Sequence, residues 1–206
     1  MFARIMGAMV ATRSAALGVA IHSGWAAAVA LGNSASDPHI LLRSRIEMSD
    51  AGVPDSKQPY HAVESLELEH ARQRLEAFAA SAQTKARAAI EQLRQSAAQR
   101  GYQLGSLGIL DSSGRSGDTL AAILASHTLI HTADGNHFRR AIASAAHDCG
   151  LQVRRLAAKG LDAHAQARLS LSQEAIEGTL TSMGRQIGAP WGADQKKAAL
   201  LAWTLL

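Results

Sequence analysis

One cysteine, Cys149, stands in a chain of 206 residues. No intramolecular disulfide can form from it and no cysteine-ligated zinc site can be built, so stapled and zinc-ribbon architectures are excluded. A lone thiol fits a reducing compartment, and the expectation is a cytoplasmic protein. Aromatic residues are also scarce, with three Trp, two Tyr and three Phe. That is too few to interleave with basic side chains as a stacking platform for single-stranded nucleic acid. Acidic residues are missing from the amino end, where the first is Asp37. Arg4 and Arg13 before the apolar run at 15–31 give that end the outline of a targeting leader. His22-Ser23-Gly24 interrupts the run, however, where a signal core or a membrane span needs continuous apolar residues. Residues 1–14 are therefore read as a loose tail and 15–206 as one domain with no membrane segment.

Apolar residues make up 47% of the chain and charged residues 18%, enough to bury one substantial core. The formal charge is +4, and a basic surface attracts polyanions by neutralising phosphates. Basic residues recur in RSR (43–45), VRR (153–155) and AKG (158–160). With aromatics so few, duplex or structured nucleic acid gripped through its backbone suits this composition better than single strands.

Apolar runs ALGVAI (16–21) and WAAAVAL (25–31) flank the turn-prone His22-Ser23-Gly24, which reads as a β-hairpin. The segment GNSASDPH (32–39) reads as a second turn. HILLRSRIEM (39–48) then alternates as a third strand with one wet face. From about 63 to 100 the period becomes helical, with Leu66, Ala71, Leu75, Phe78, Ala82, Ala86, Ile90 and Leu93 on one stripe and Gly101 as its stop. LGSLGIL (104–110) is a fourth strand, followed by the polar loop DSSGRSGD (111–118). Helix is expected from Thr119 to Cys149, with an interruption at Asp134-Gly135. LQVRRLA (151–157) is the fifth strand, and 162–185 and 194–206 are helices. The result is a single α/β domain: a mixed five-stranded sheet, an antiparallel meander and then two parallel strands, flanked by helices. The last helix carries Leu200, Leu201, Trp203, Leu205 and Leu206, which must be covered by the domain itself or by a second copy in a homodimer.

This order of elements, from ALGVAI to the helix ending near 185, resembles the ribonuclease H-like fold. Nucleases, transposases, Holliday-junction resolvases and actin-like ATPases share that fold. Its active nucleases hold two metal ions on carboxylates, the first of them in the first strand. The first strand here, ALGVAIHSG, has no acid and carries His22 near its end. The resemblance thus implies the fold while removing the acid on which two-metal chemistry depends.

Chemistry is concentrated in ASHTLIHTADGNHFRRAI (125–142). On a helix His127 and His131 are i,i+4 neighbours and Asp134 lies three residues beyond. Two imidazoles and a carboxylate on one face can ligate a divalent metal, or the carboxylate can orient an imidazole as a general base. His131 is the expected centre, with His127, Asp134 and, from the hairpin, His22 as its partners in catalysis. Tyr60 and His61 after the third strand, Ser113 and Arg115 in the glycine-rich loop, and Arg139 at the rim are the expected substrate contacts. The loop lacks the spacing of a Walker or dinucleotide motif. Two functions stay open. One is a hydrolase acting on a phosphate-bearing substrate, nucleic acid first, through a histidine-rich cleft with a divalent metal as a candidate cofactor. The other is a non-catalytic binding or assembly module that has lost the acidic site.

Overall fold

The computed structural model describes residues 13–111, 114 and 117–206. A five-stranded sheet is built from β1 (Arg13–His22), β2 (Trp25–Ser34), β3 (Asp37–Glu47), β4 (Tyr102–Asp111) and β5 (Gln152–Ala157), in the order β3-β2-β1-β4-β5. β1, β2 and β3 pair antiparallel, and β4 and β5 are added parallel to β1. This is the expected meander followed by two crossovers. Helix α1 (Leu68–Ala98) makes the first crossover, and α2 (Leu120–Leu124) with α3 (His127–Asp148) makes the second. α4 (Leu161–Leu169), α5 (Gln173–Ile187) and α6 (Ala193–Trp203) complete the chain.

The period of two along β1 decides what each face meets. Ala15, Leu17 and Val19 belong to one core layer with Ile90 and Leu93 of α1 and Phe138 and Ile142 of α3. Ala20 belongs to the opposite layer with Leu200, Leu201 and Trp203 of α6. Gly18 lies under α6 so closely that a Cβ there would meet the Ala198 carbonyl oxygen at 1.9 Å. Trp203 is fully buried, and its indole N–H donates to the Ala35 carbonyl at 2.8 Å. The apolar residues of the last helix are thus covered within the chain.

Four details differ from the sequence reading. The helix expected over 162–185 is divided into α4 and α5, because Ser170 takes a left-handed conformation that ends α4 and Ser172 caps α5. β1 starts at Arg13, inside the stretch read as tail, while residues 1–12 lie outside the described ones. The second turn narrows to Ala35-Ser36, because β2 runs on to Ser34 through Asn33 at φ 75°, a conformation asparagine tolerates. The helix break falls at Ala125-Ser126, where Ser126 is the extended residue preceding α3, and α3 is continuous through Asp134-Gly135.

β1, β4 and β5 are parallel, so their carboxyl ends share one edge of the sheet, where α/β folds form clefts. β3 also ends there, since Glu47 pairs with Trp25 and Trp25 with His22. The middle of α3 is tied to this edge by Arg139, whose Nε donates to the Leu110 carbonyl at 3.0 Å.

Candidate functional site at the carboxyl edge

α3 presents an apolar stripe to the sheet: Ile130, Ala133, Phe138, Ala141, Ile142, Ala145 and Ala146 are buried. Asp134 and His137 fall on the same stripe and are buried with them. A buried carboxylate needs partners, and Asp134 finds both in the segment before α1. The Tyr60 N–H donates to Oδ1 at 2.7 Å, and Nδ1 of His61 lies 2.5 Å from Oδ2. Burial pushes the Asp134 carboxyl up, while the Tyr60 N–H and His61 favour its charged form. His61 opens a 3-10 turn, His61–Val63, that packs on α3 through this contact.

One step around α3, His127 and His131 are exposed, with their Nε2 atoms 3.0 Å apart. The His61 ring lies 4.6 Å from that of His131 and 5.4 Å from that of His127, centroid to centroid. One ligating nitrogen from each of His61, His127 and His131 lies within 4.8 Å of the other two. Asp134 therefore orients His61, where the sequence reading gave it His131. His61, expected as a substrate contact, takes the third imidazole position.

His22 does not join this group. It has the parity of Gly18 and Ala20, so it faces α6, and its Nε2 pairs with Asp194 at 2.9 Å while its ring stacks on Trp25. His131 sits on α3, which covers the other face. Tyr60 contributes its backbone to Asp134, and its hydroxyl accepts from Arg140 at 3.1 Å. Arg139 folds back over Gly135, where a Cβ would lie 2.7 Å from its Nη1. Ser113 and Arg115 lie outside the described residues.

His137, not selected in the sequence reading, is the most perturbed group nearby. Burial lowers its pKa to about 4, with the charge of Arg140 adding to the effect. It lines a cleft of about 430 Å³ with Tyr60, Arg72, Leu75, Leu120 and Arg140. The signal that could have found it, and the burial of Asp134, is that both occupy apolar-stripe positions.

Three carboxylates of the edge are dispersed, each beside a different basic side chain. Asp111 accepts from Arg155 at 2.7 Å, Asp194 faces His22, and Glu47 is held by Arg45, which also lies over Trp25. Among the described residues the one group of three or more metal-type ligands is the histidine trio. These side chains do not fit a two-ion carboxylate centre. Arg43 is also committed internally, donating to the carbonyls of Gly188, Ala189 and Pro190 at 2.7, 2.9 and 2.8 Å.

No protein-family model and no curated protein matches the sequence. Among solved structures, the chain is similar to "T. thermophilus RuvC in complex with Holliday junction substrate", at a TM-score of 0.52 and 9% identity over 93% of this chain and 91% of that one. It is likewise similar to "Thermus thermophilus RuvC structure", at a TM-score of 0.50 and 11% identity over 92% of each. The chain has a ribonuclease H-like fold. No helix among the described residues is long and apolar enough to cross a membrane.

Proposed function

We propose that the protein holds a phosphate-bearing partner, structured nucleic acid first, against the carboxyl edge of its sheet. His61, His127, His131 and Asp134 form the reactive centre of that edge. The observation that carries this reading is the meeting of three imidazoles and one buried carboxylate where the parallel strands end. An imidazole oriented by a carboxylate is suited to proton transfer near neutral pH, so as an enzyme the protein would hydrolyse phosphodiesters. The likeness to a RuvC solved with a Holliday junction makes a four-way DNA junction the first ligand to try. A cytoplasmic setting belongs to the same reading and rests on the single thiol. The non-catalytic reading is favoured by one observation, the dispersal of Glu47, Asp111 and Asp194 beside the separate side chains of Arg45, Arg155 and His22.

Fluorescence anisotropy with a labelled junction, a duplex and a single strand tests the binding. The junction and duplex are expected to bind, with affinity falling roughly 10- to 100-fold between about 50 and 200 mM salt, as for two to four phosphate contacts. Absence of binding at about 50 mM salt, where phosphate contacts are strong, contradicts the proposal. Cleavage of the same substrates, abolished in His131→Ala, would separate the hydrolase from the binding module.

A further inference from the structure

We propose that His61, His127 and His131 form a mononuclear site for a divalent transition metal of the zinc type, with Asp134 holding His61 in register. The inference rests on the same side chains as the proposed function and deepens it, with His61 a ligand of the ion in place of a proton acceptor. It stands on geometry that needs no nucleic acid. Nδ1 of His61 faces Asp134, which fixes that ring and leaves its Nε2 as the ligating atom. A histidine whose other nitrogen donates to a carboxylate is the usual support of a metal-bound imidazole. The carboxylate is itself anchored by the Tyr60 N–H. Nε2 of His131 and Nε2 of His127 already stand 3.0 Å apart, close to the nitrogen separation that two imidazoles show on one tetrahedral ion.

The placement also explains why the two exposed rings converge. Two neutral imidazoles can face nitrogen to nitrogen only if one donates a proton or both donate lone pairs to a shared cation. All three nitrogens lie within 4.8 Å, so rotations of the exposed His127 and His131 suffice to close them on an ion. Three imidazoles select a borderline-soft ion such as Zn²⁺ or Co²⁺ over Mg²⁺, which prefers oxygen. Three protein ligands leave the fourth position open to water or a phosphate oxygen, as in catalytic rather than structural sites. The site thus departs from the two-ion carboxylate centre that the fold resemblance implied, both in its ligands and in its ion.

The test uses the full chain, freed of metal and titrated with Co²⁺ and then Zn²⁺, without nucleic acid. Saturation at one equivalent is expected, with the intense visible bands of a four-coordinate Co²⁺ site, displaced by Zn²⁺ and unaffected by excess Mg²⁺. The exposed pair changed together, His127→Ala with His131→Ala, is expected to remove saturable binding while the far-ultraviolet circular dichroism stays that of the parent. Asp134→Asn, which keeps an acceptor for His61, should weaken Zn²⁺ by about 10- to 100-fold. His147→Ala, at an exposed position near the far end of α3, should change nothing. Failure to saturate, equal response to Mg²⁺, or Co²⁺ binding that survives the double substitution overturns the site. A chain that binds junction DNA but no metal would overturn this inference alone. A chain that binds metal but no nucleic acid would keep it and overturn the proposed function.

Discussion

At the scale of single residues, two polar side chains on an apolar helix stripe have opposite fates. Asp134 is buried and fully partnered by Tyr60 and His61, whereas Nε2 of His137 is buried with no hydrogen-bond partner among the described residues. The consequence for His137 is acid sensitivity. Its folded-state pKa of about 4 lies below the ordinary value of 6.5, so the unfolded chain takes up this proton first as the pH falls. No proton-linked cost arises above pH 6.5, and stability is lost progressively as pH drops toward 4, by on the order of 3 kcal/mol. Urea titrations across that window should show the loss, and His137→Asn should flatten it whatever the variant's own stability. An unchanged slope would assign the acid sensitivity to other groups. Composition and spacing showed where histidines crowd, and the i,i+4 pair His127–His131 did meet. What spacing on one helix cannot show is a third ring arriving from a loop 66 positions before His127 (127 − 61).

At the scale of elements, short apolar runs bounded by turn residues, one alternating segment and the change to a helical period after it placed all five strands. Alternation in ALGVAI also contained more than was read from it. Once α6 is known to cover the Gly18 and Ala20 face, the parity of His22 sends it to Asp194 and away from α3. Which helix covers which face is a tertiary fact, and no local pattern states it. Asp134-Gly135 looked like a break because Asp and Gly favour caps and turns. The carboxylate is instead drawn to Tyr60 and His61, and the missing Cβ lets Arg139 lie close to the helix. The tightest element contact is also testable. A methyl group at Gly18 would collide with the Ala198 backbone, so Gly18→Ala should destabilise by about 3 kcal/mol, the upper end of overpacking costs. Gly105→Ala, in β4 with nothing within 4 Å of the added carbon, should cost little or stabilise. Paired thermal melts decide it; equal effects would mean that α6 does not rest on β1 as described.

At the scale of the whole molecule, the sheet gathers two chemically different stations along one edge. On the α6 side His22 pairs with Asp194 and stacks on Trp25, with Arg45 over Trp25. On the α3 side stand the histidine trio, Asp134 and the Arg155–Asp111 pair. The fold accounts for this arrangement, because parallel strands end together and the helices that return between them start there. The net charge is only +4, and Arg43, Arg45 and Arg155 are paired within the chain, so affinity for a polyanion should be modest. The central claim is that the partner is held at this edge and on the histidine side of it. Hydrogen exchange with and without a four-way DNA junction at low salt tests it most directly, since it reads position as well as binding. Slowed exchange is expected over 58–66 and 117–135, the segments that carry His61, His127 and His131. Protection confined to the opposite edge, around 33–39 and 100–102, or no protection where anisotropy shows binding, would contradict it.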